Sequence, residues 1–425
     1  MGGRTSDGVT HAAPPLLSLI LASALAPASI AAQPPAVTFD EALALAHRSP
    51  AAETARRELA ARESADDGIG GTAQATTITV TPGAGSAADQ GWGFEGQVSV
   101  AQGWNLADLG GARRRAAGEE RAAIAARARA DALRARLEAA RYWIDLHTLQ
   151  SLASSLEERR ALVRRRVELA ERAREAGVGT AEQLAVARAE AAQVERQRVE
   201  VEGDRVDAAR QLARAMGADP SRIPLAAGPV PRPRLPGPRA VRARIANLDA
   251  LPDVAVRRLT ATAARAREAE ASAEYGPVLS LGAQLERGGG DTWVVYGIAS
   301  LQLDLFGSER RVAAVERGAA ARADVELETA RLRARADLEQ AAHDVGHSTR
   351  ALRVIERELL PALDDLVARL ARAVEAGERT RFALFDARRR RSGADEAAVR
   401  ARGARAWARV RLWLLLAELA PGGAS

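Results

Sequence analysis

The chain has 425 residues, 27% of them charged and only 3% aromatic, with a formal charge of +6. It contains no cysteine and no lysine, so disulfides, thiolate metal sites and cysteine nucleophiles are excluded, and every permanently basic side chain is an arginine. Arginine and glutamate alternate along helical faces and no basic stripe is interleaved with aromatic residues, which argues against a nucleic-acid partner despite the positive charge.

Residues 14–25 (PPLLSLILASAL) form a short apolar core, followed by small residues up to Ala32. The core is too short to cross a bilayer as a helix and reads as an export signal over 1–32. The sequence VTFDEALALAHRSP comes next. Thr38 can cap a helix there and Glu41, three residues on, completes a capping box. That helix is expected to run to about Asp67, where Gly68, Gly70 and Gly71 end it. A β-hairpin is expected over about 76–103, from TTITVTP and GWGFEGQVSVAQGW. In the second segment Phe94, Gly96, Val98 and Val100 share one face while Glu95, Gln97 and Ser99 share the other, a period of two.

From about Gly111 to Ala176 there is no proline and a single further glycine, Gly118. At 1.5 Å per residue this is a helix of about 100 Å. Its apolar positions, among them Leu133, Ile144, Leu152, Leu156 and Val163, are spaced mostly by three, four or seven, as lateral helix packing requires. A glycine break, EAGVGT, interrupts it. The next helix, to Met216, places Ala187, Val194, Val201, Ala208 and Ala215 seven apart, a coiled-coil stripe of small residues. Residues 220–240 are a proline-rich linker expected to carry no regular structure.

The same order then restarts. A helix is expected over 240–274, and a second hairpin over about 277–304. There Leu279, Leu281, Ala283 and Leu285 face one way and Ser280, Gln284 and Glu286 the other. A long helix from about Glu309, interrupted at Pro361, leads to a second break, EAGERT, and a last helix ends in a buried RLWLLLAEL. The two glycine breaks are 200 residues apart, and so are Gln102 and Gln302 near the strand ends. The chain is therefore an internal duplication, with repeats at 33–219 and 241–425. Two hairpins give four strands, too few to close a membrane barrel, which takes about eight or more, so several copies must pool them. Seven of the fourteen aromatic residues lie in or beside these strands: Trp92, Phe94, Trp104, Tyr275, Trp293, Tyr296 and Phe306. Aromatics collect in this way at membrane–water boundaries.

The order and spacing of VTFDEALALAHRSP, VAQGWNLADLGGARRRA, EAGVGTAEQLAVARAE, GPVLSLGAQLERG, SLQLDLFGSERRVAA and EAGERTRFALFDARR resemble the TolC-like outer-membrane efflux proteins over nearly all of the chain after the signal. The wording around the strands looks most like the heavy-metal cation branch. The resemblance implies a mainly α fold with a small β part. Duplicated long α-hairpins would form a periplasmic α-barrel, and four strands per chain would enter a twelve-stranded barrel in a homotrimer. It further implies a passive export duct in the outer membrane of a Gram-negative-type bacterium, in contact with outer-membrane lipid, a periplasmic adaptor and an inner-membrane pump. The glycine breaks would be hairpin turns at the periplasmic tip, placing Gly177, Val178, Gly179 and Thr180, with Gly377, Glu378, Arg379 and Thr380, against the adaptor. The chain departs from the family pattern in four places, two of them the glycine-rich segment Gly68–Ala75 and the arginine-bearing proline-rich connector. The first hairpin lacks an introducing proline like Pro277, and Glu182-Gln183 stand where an acidic residue and a leucine pair are usual.

No phosphate loop, serine nucleophile or other catalytic constellation is present, so neither an enzyme nor a cofactor is expected. His343 and His347 are four apart on one helix, beside Asp344, but no third ligand is near in sequence, and the pair reads as solvated or tunnel-facing rather than as a metal site. Two rival readings remain open: a soluble periplasmic coiled-coil adaptor, which would carry one helical hairpin flanked by other domains, and an elongated structural protein, which would have no use for four alternating strands.

Overall fold

In the computed structural model, residues 35–65, 76–87, 91–287, 293–303 and 310–419 are described, and all belong to one unit, Pro35–Ser425. The expected signal at 1–32 and the aromatic Phe306 lie outside the described residues.

The first repeat opens with the two-residue strand β1 (Ala36–Val37) and helix α1 (Phe39–Leu45). Thr38 and Glu41 make the capping box in full: the Glu41 amide donates to the Thr38 hydroxyl at 3.3 Å and the Glu41 carboxylate accepts from the Thr38 amide at 2.8 Å. The helix does not run on unbroken. A single 3₁₀ turn, Ala46–Arg48, and an extended Ser49 precede α2 (Pro50–Ala65), because Pro50 cannot accept a place inside a helix and instead starts a new one. The second repeat does the same at the matching point. Helix α5 (Pro238–Ile245), a 3₁₀ turn at Leu248–Ala250 and α6 (Pro252–Glu274) replace the single helix expected over 240–274.

The linker carries more structure than its prolines suggest. Strand β4 (Leu225–Ala226) pairs in parallel with β1, with Leu225 donating to the Pro35 carbonyl at 3.0 Å and Ala227 to the Val37 carbonyl at 2.9 Å. Beneath this pair lies the main core. Trp143 is fully buried, meets Phe39 edge-on at 5.5 Å and donates its indole N–H to the Val37 carbonyl at 2.8 Å. His147 stacks on Trp143 at 5.3 Å; burial holds its imidazole below the ordinary value, opposed by a hydrogen bond with the Gly228 backbone.

The long elements follow the heptad pattern. Helix α3 (Leu109–Glu175) has 67 residues and α4 (Ala181–Ala215) has 35. Leu152, Leu156 and Val201 pack together along their seam, and Ala170, Leu184 and Ala187 do so near its far end. In the second repeat α7 (Arg310–Val354), a π turn (Ile355–Leu359) and α8 (Leu360–Glu375) form one uninterrupted helical run. The π turn is what admits Pro361 without a break, since widening the turn before a proline relieves its clash and its missing donor. Helix α9 (Arg381–Glu418) returns, and Leu412, Leu414 and Leu416 are buried as expected.

The strands β2 (Thr77–Ala87), β3 (Gly91–Asn105), β5 (Val278–Arg287) and β6 (Trp293–Gln302) form one antiparallel sheet in the order β2-β3-β5-β6. The two hairpins are thus joined side by side, with Val98 opposite Leu285 and Val100 opposite Ala283. The sequence WNLADLGG makes the joint to the helices. Asn105, 4% exposed, donates its side-chain amide to the Ala273 carbonyl at 2.9 Å at the end of α6 and accepts from the Ala107 amide at 2.8 Å. Leu106 donates to the Pro277 carbonyl at 2.8 Å. Asp108 then caps α3 from the left-handed conformation, φ 54°, accepting from the Gly111 amide at 3.1 Å. A Cβ on Gly111 would collide with that carboxylate, which explains the glycine.

Candidate functional site

Two regions of this frame carry the site residues singled out in the sequence: the sheet and the two helical turns.

The register sorts the sheet into two chemistries. One face carries Ile78 and Val80 from β2, Val98 and Val100 from β3, Leu281 and Leu285 from β5, and Val295 and Leu301 from β6. The other carries Thr77, Thr79 and Thr81, then Gln97 and Ser99, then Gln284 and Glu286, and β6 adds Val294, Tyr296, Ile298 and Ser300 to it, so it is polar over its first three strands and mixed at the fourth. The apolar face is uncovered: Ile78 is 67% exposed, Val80 65% and Val295 69%. An exposed apolar area of this kind is not a face that water tolerates without a partner. The outer strands β2 and β6 each have one unpaired edge among the described residues.

The aromatics divide between these faces. Trp92 and Phe94 belong to β3, and their side chains lie outside the described residues. Trp293 stands on the apolar face at the end remote from the helices, where Arg287 lies over its ring at 5.7 Å. Trp104, opposite Leu279, is half-buried at the helix end of the same face. Tyr296 pairs with Gln284 and therefore points from the polar face, and Tyr275 is half-buried at the end of α6.

The two glycine breaks fold into the same turn. Gly177 has φ +73° and Gly377 φ +75°, the left-handed conformation that ends a helix at least cost with glycine. Val178 and Gly179 both donate to the Ala173 carbonyl, at 2.9 and 2.8 Å; Glu378 and Arg379 both donate to the Ala373 carbonyl, at 2.8 and 3.2 Å. Thr180 and Thr380 each start the returning helix from an extended conformation. Only the first is locked, since Thr180 and Gln183 exchange hydrogen bonds at 3.1 Å in a capping box, whereas Thr380 has no side-chain cap. Val178 is 82% exposed.

Arginines stitch the two hairpins together near these turns. Arg166 of α3 reaches Glu190 of α4 at 2.6 Å and Asp386 of α9 at 3.1 Å. One heptad up, Arg159 reaches Glu396 of α9 at 2.9 Å and Gln197 of α4 at 3.4 Å. Glu396 is only 5% exposed at its side chain, so the pairing matters more there than on an open surface. Phe382 of α9 packs on the cluster of Ala170, Leu184 and Ala187. The sequence analysis does not single out these contacts; the seven-residue spacing of Arg159 and Arg166 is the signal that points to them. Further along, Arg391 binds Asp364 at 2.5 Å and also Asp395, and the two carboxylates raise its already high pKa.

His343 and His347 stack at 6.2 Å and both are exposed. Among the described residues no group of three or more histidine, aspartate and glutamate side chains could hold a metal ion. No helix among them is long and apolar enough to cross a membrane.

Neither a protein-family model nor a curated protein sequence matches the chain. Solved structures do. The outer-membrane channel OprN superposes with a TM-score of 0.74 over 89% of each chain at 17% identity. The MtrE outer membrane channel of Neisseria gonorrhoeae gives 0.69 over 89% of this chain and 88% of that one at 18% identity. CusC, described by its transmembrane channel formation, gives 0.69 over 89% and 91% at 14% identity. The chain has the fold of the TolC-like outer-membrane channels, mostly helical with a small β part.

Proposed function

We propose that the chain is the outer-membrane duct of an export system, acting as a passive trimer. The observation that carries this reading is the four-stranded sheet, with one bare apolar face, one polar face and two open edges. Four strands cannot close, and a barrel of about eight or more is needed to leave no edge in lipid. Three copies would supply twelve strands and pair β2 of one with β6 of the next. The apolar face would then meet hydrocarbon and the threonine, glutamine and glutamate face would line a wet lumen. Trp293 and Trp104 stand at opposite ends of the apolar face, where interfacial aromatics belong, and Tyr296 would stand in the lumen. The fold shared with OprN, MtrE and CusC supports the reading, and does not favour the heavy-metal branch over another.

The helical hairpins would assemble into a periplasmic tunnel, with both glycine turns at its free end. There Gly177, Val178, Gly179 and Thr180, with Gly377, Glu378, Arg379 and Thr380, would meet a periplasmic adaptor that links the duct to an inner-membrane pump. The small, apolar first turn suits docking. The charged second turn suits holding the closed state. The sequence carries no phosphate-loop motif, so the driving energy would come from the pump. The deciding experiment is fractionation with and without detergent. A cross-linkable trimer that travels with outer membranes is expected; a monomer soluble without detergent would sink the duct and leave a structural coiled-coil protein.

A further inference from the structure

We propose that the cavity between the linker that joins the repeats, α5, α7 and α9 is a binding site for an amphipathic organic anion, a small molecule with an apolar tail and a carboxylate head. Such a site is independent of the export role proposed above.

The cavity has a volume of about 980 Å³, at the upper end of the roughly 300–1,000 Å³ that small-molecule sites occupy. Its walls are the outer layer of the second repeat's core. Leu235 of the linker, Val241 and Ile245 of α5, Ala342 and Val345 of α7 and Leu412 of α9 belong to one apolar cluster; Val241 and Leu412 are buried and the others half-buried. Two arginines fasten these walls. Arg409 of α9 donates to the Pro233 carbonyl at 2.8 Å, and Arg244 of α5 donates to the Leu416 carbonyl at 3.1 Å, so the linker and α5 are both tied to α9. Gly346 leaves room on the α7 side, where a Cβ would meet no neighbouring atom within 4 Å.

The charges on the cavity do not cancel. Its charged residues are Arg242, Arg335, Glu339 and Arg409. Arg335 and Glu339 pair one helical turn apart at 3.0 Å and neutralise each other. Arg242 and Arg409 have no carboxylate partner among the described residues. Arg409 is the more telling of the two. It is half-buried, its one acceptor is the neutral Pro233 carbonyl, and its Nε is buried with no acceptor. A guanidinium withdrawn from water without a counter-ion is destabilising, and an anion in the cavity relieves it. The apolar walls ask for a hydrocarbon tail, and the two arginines, from different helices, ask for a carboxylate. A neutral hydrocarbon would leave Arg409 unpaired, an inorganic anion would leave the walls bare, and a cationic amphiphile would be repelled.

The chain has no cysteine, so one introduced thiol reports on the cavity alone. The test measures how fast a polar thiol reagent modifies Val345→Cys in the full-length protein, purified in a non-ionic detergent, with octanoate, octanol or octylammonium added. Octanoate is expected to protect the thiol at a concentration about tenfold lower than octanol, octylammonium to protect it least, and the preference to shrink as salt is raised. Val178→Cys, in the first turn, should respond to none of the three, which separates the cavity from effects on the detergent. R242Q should narrow the gap between octanoate and octanol. Gly346→Leu places a good helix former where α7 has open space, so the variant should fold, and by filling the cavity it should abolish protection by all three probes. No protection by any probe, equal protection by all three, a preference indifferent to salt, or full protection by octanoate in the Gly346→Leu background overturns the proposal. So does a Val345→Cys thiol that is closed without ligand in the assembled protein and open in the monomer, because a second copy then fills the cavity. None of these outcomes touches the membrane fractionation, so the duct stands or falls separately.

Discussion

Gly179 and Arg379 occupy the same place in two turns 200 residues apart, and the arginine turn is the looser one. Gly179 donates to the Ala173 carbonyl at 2.8 Å, while Arg379 donates to the Ala373 carbonyl at 3.2 Å. A Cβ on Gly179 would lie 2.9 Å from both the carbonyl carbon and the Cβ of Ala173, so the side chain of Arg379 can be accommodated only by a turn that has opened slightly. Gly179→Ala should therefore destabilise the first turn by about 1 kcal/mol, the lower end of what overpacking costs, and Arg379→Gly should not. Hydrogen exchange at the Val178 and Gly179 amides reports the difference directly; equal protection in wild type and Gly179→Ala would contradict it.

The buried pair offers a sharper case. Arg159→Ala leaves Glu396 facing the interior with only Arg400, 4.0 Å away, as a distant partner. The expected loss is about 3 kcal/mol, the scale on which one member of a buried pair is missed. Denaturant unfolding measures it. The double variant Arg159→Leu/Glu396→Leu should recover most of the loss, because it removes the stranded charge as well.

The sheet can be tested by face. Val98→Arg puts a charge on the apolar side of a central strand and should cost about 2–4 kcal/mol of insertion if that side meets hydrocarbon, whereas Ser99→Arg, one residue on, should be tolerated. The abundance of heat-resistant trimer on gels distinguishes them, and equal loss in both would mean that lipid does not touch this face.

His147 makes stability depend on pH. Its folded-state pKa is depressed, chiefly by burial, so the unfolded chain binds the proton more readily. Stability is then full above the ordinary histidine range and falls as pH drops through it towards the folded value. His147→Asn should flatten that fall, as read from urea midpoints between neutral and mildly acid pH; an unchanged profile would place the dependence elsewhere.

Much of this frame was legible beforehand because it is periodic. The alternation in GQVSV and PVLSLGAQLE places the same residues on the apolar face that the register does, and the two glycine breaks do adopt one turn. Parity also separates Tyr296 from Trp293, which lie an odd number of residues apart and cannot share a face. Three features escape a periodic reading for physical reasons. The β1–β4 pair is two residues long, too short to show a pattern. Pro361 looks like a stop, and only the wider turn at Ile355–Leu359 makes it compatible with a continuous helix. With no lysine and arginine everywhere, the sequence does not say which guanidinium finds a carboxylate; that depends on how α3, α4 and α9 register against one another.

The joining of the two hairpins through β3 and β5 has a kinetic side. β2 can fold back on β3 as soon as both are made, but Gly96 must wait for Arg287 and Trp104 for Leu279, far later in the chain. Until then β3 presents a bare strand edge next to an apolar face, a template for pairing with the wrong chain. The order of synthesis thus imposes a period of exposure, and the packing of α3 on α4, its neighbour in sequence, is what the chain can complete in the meantime.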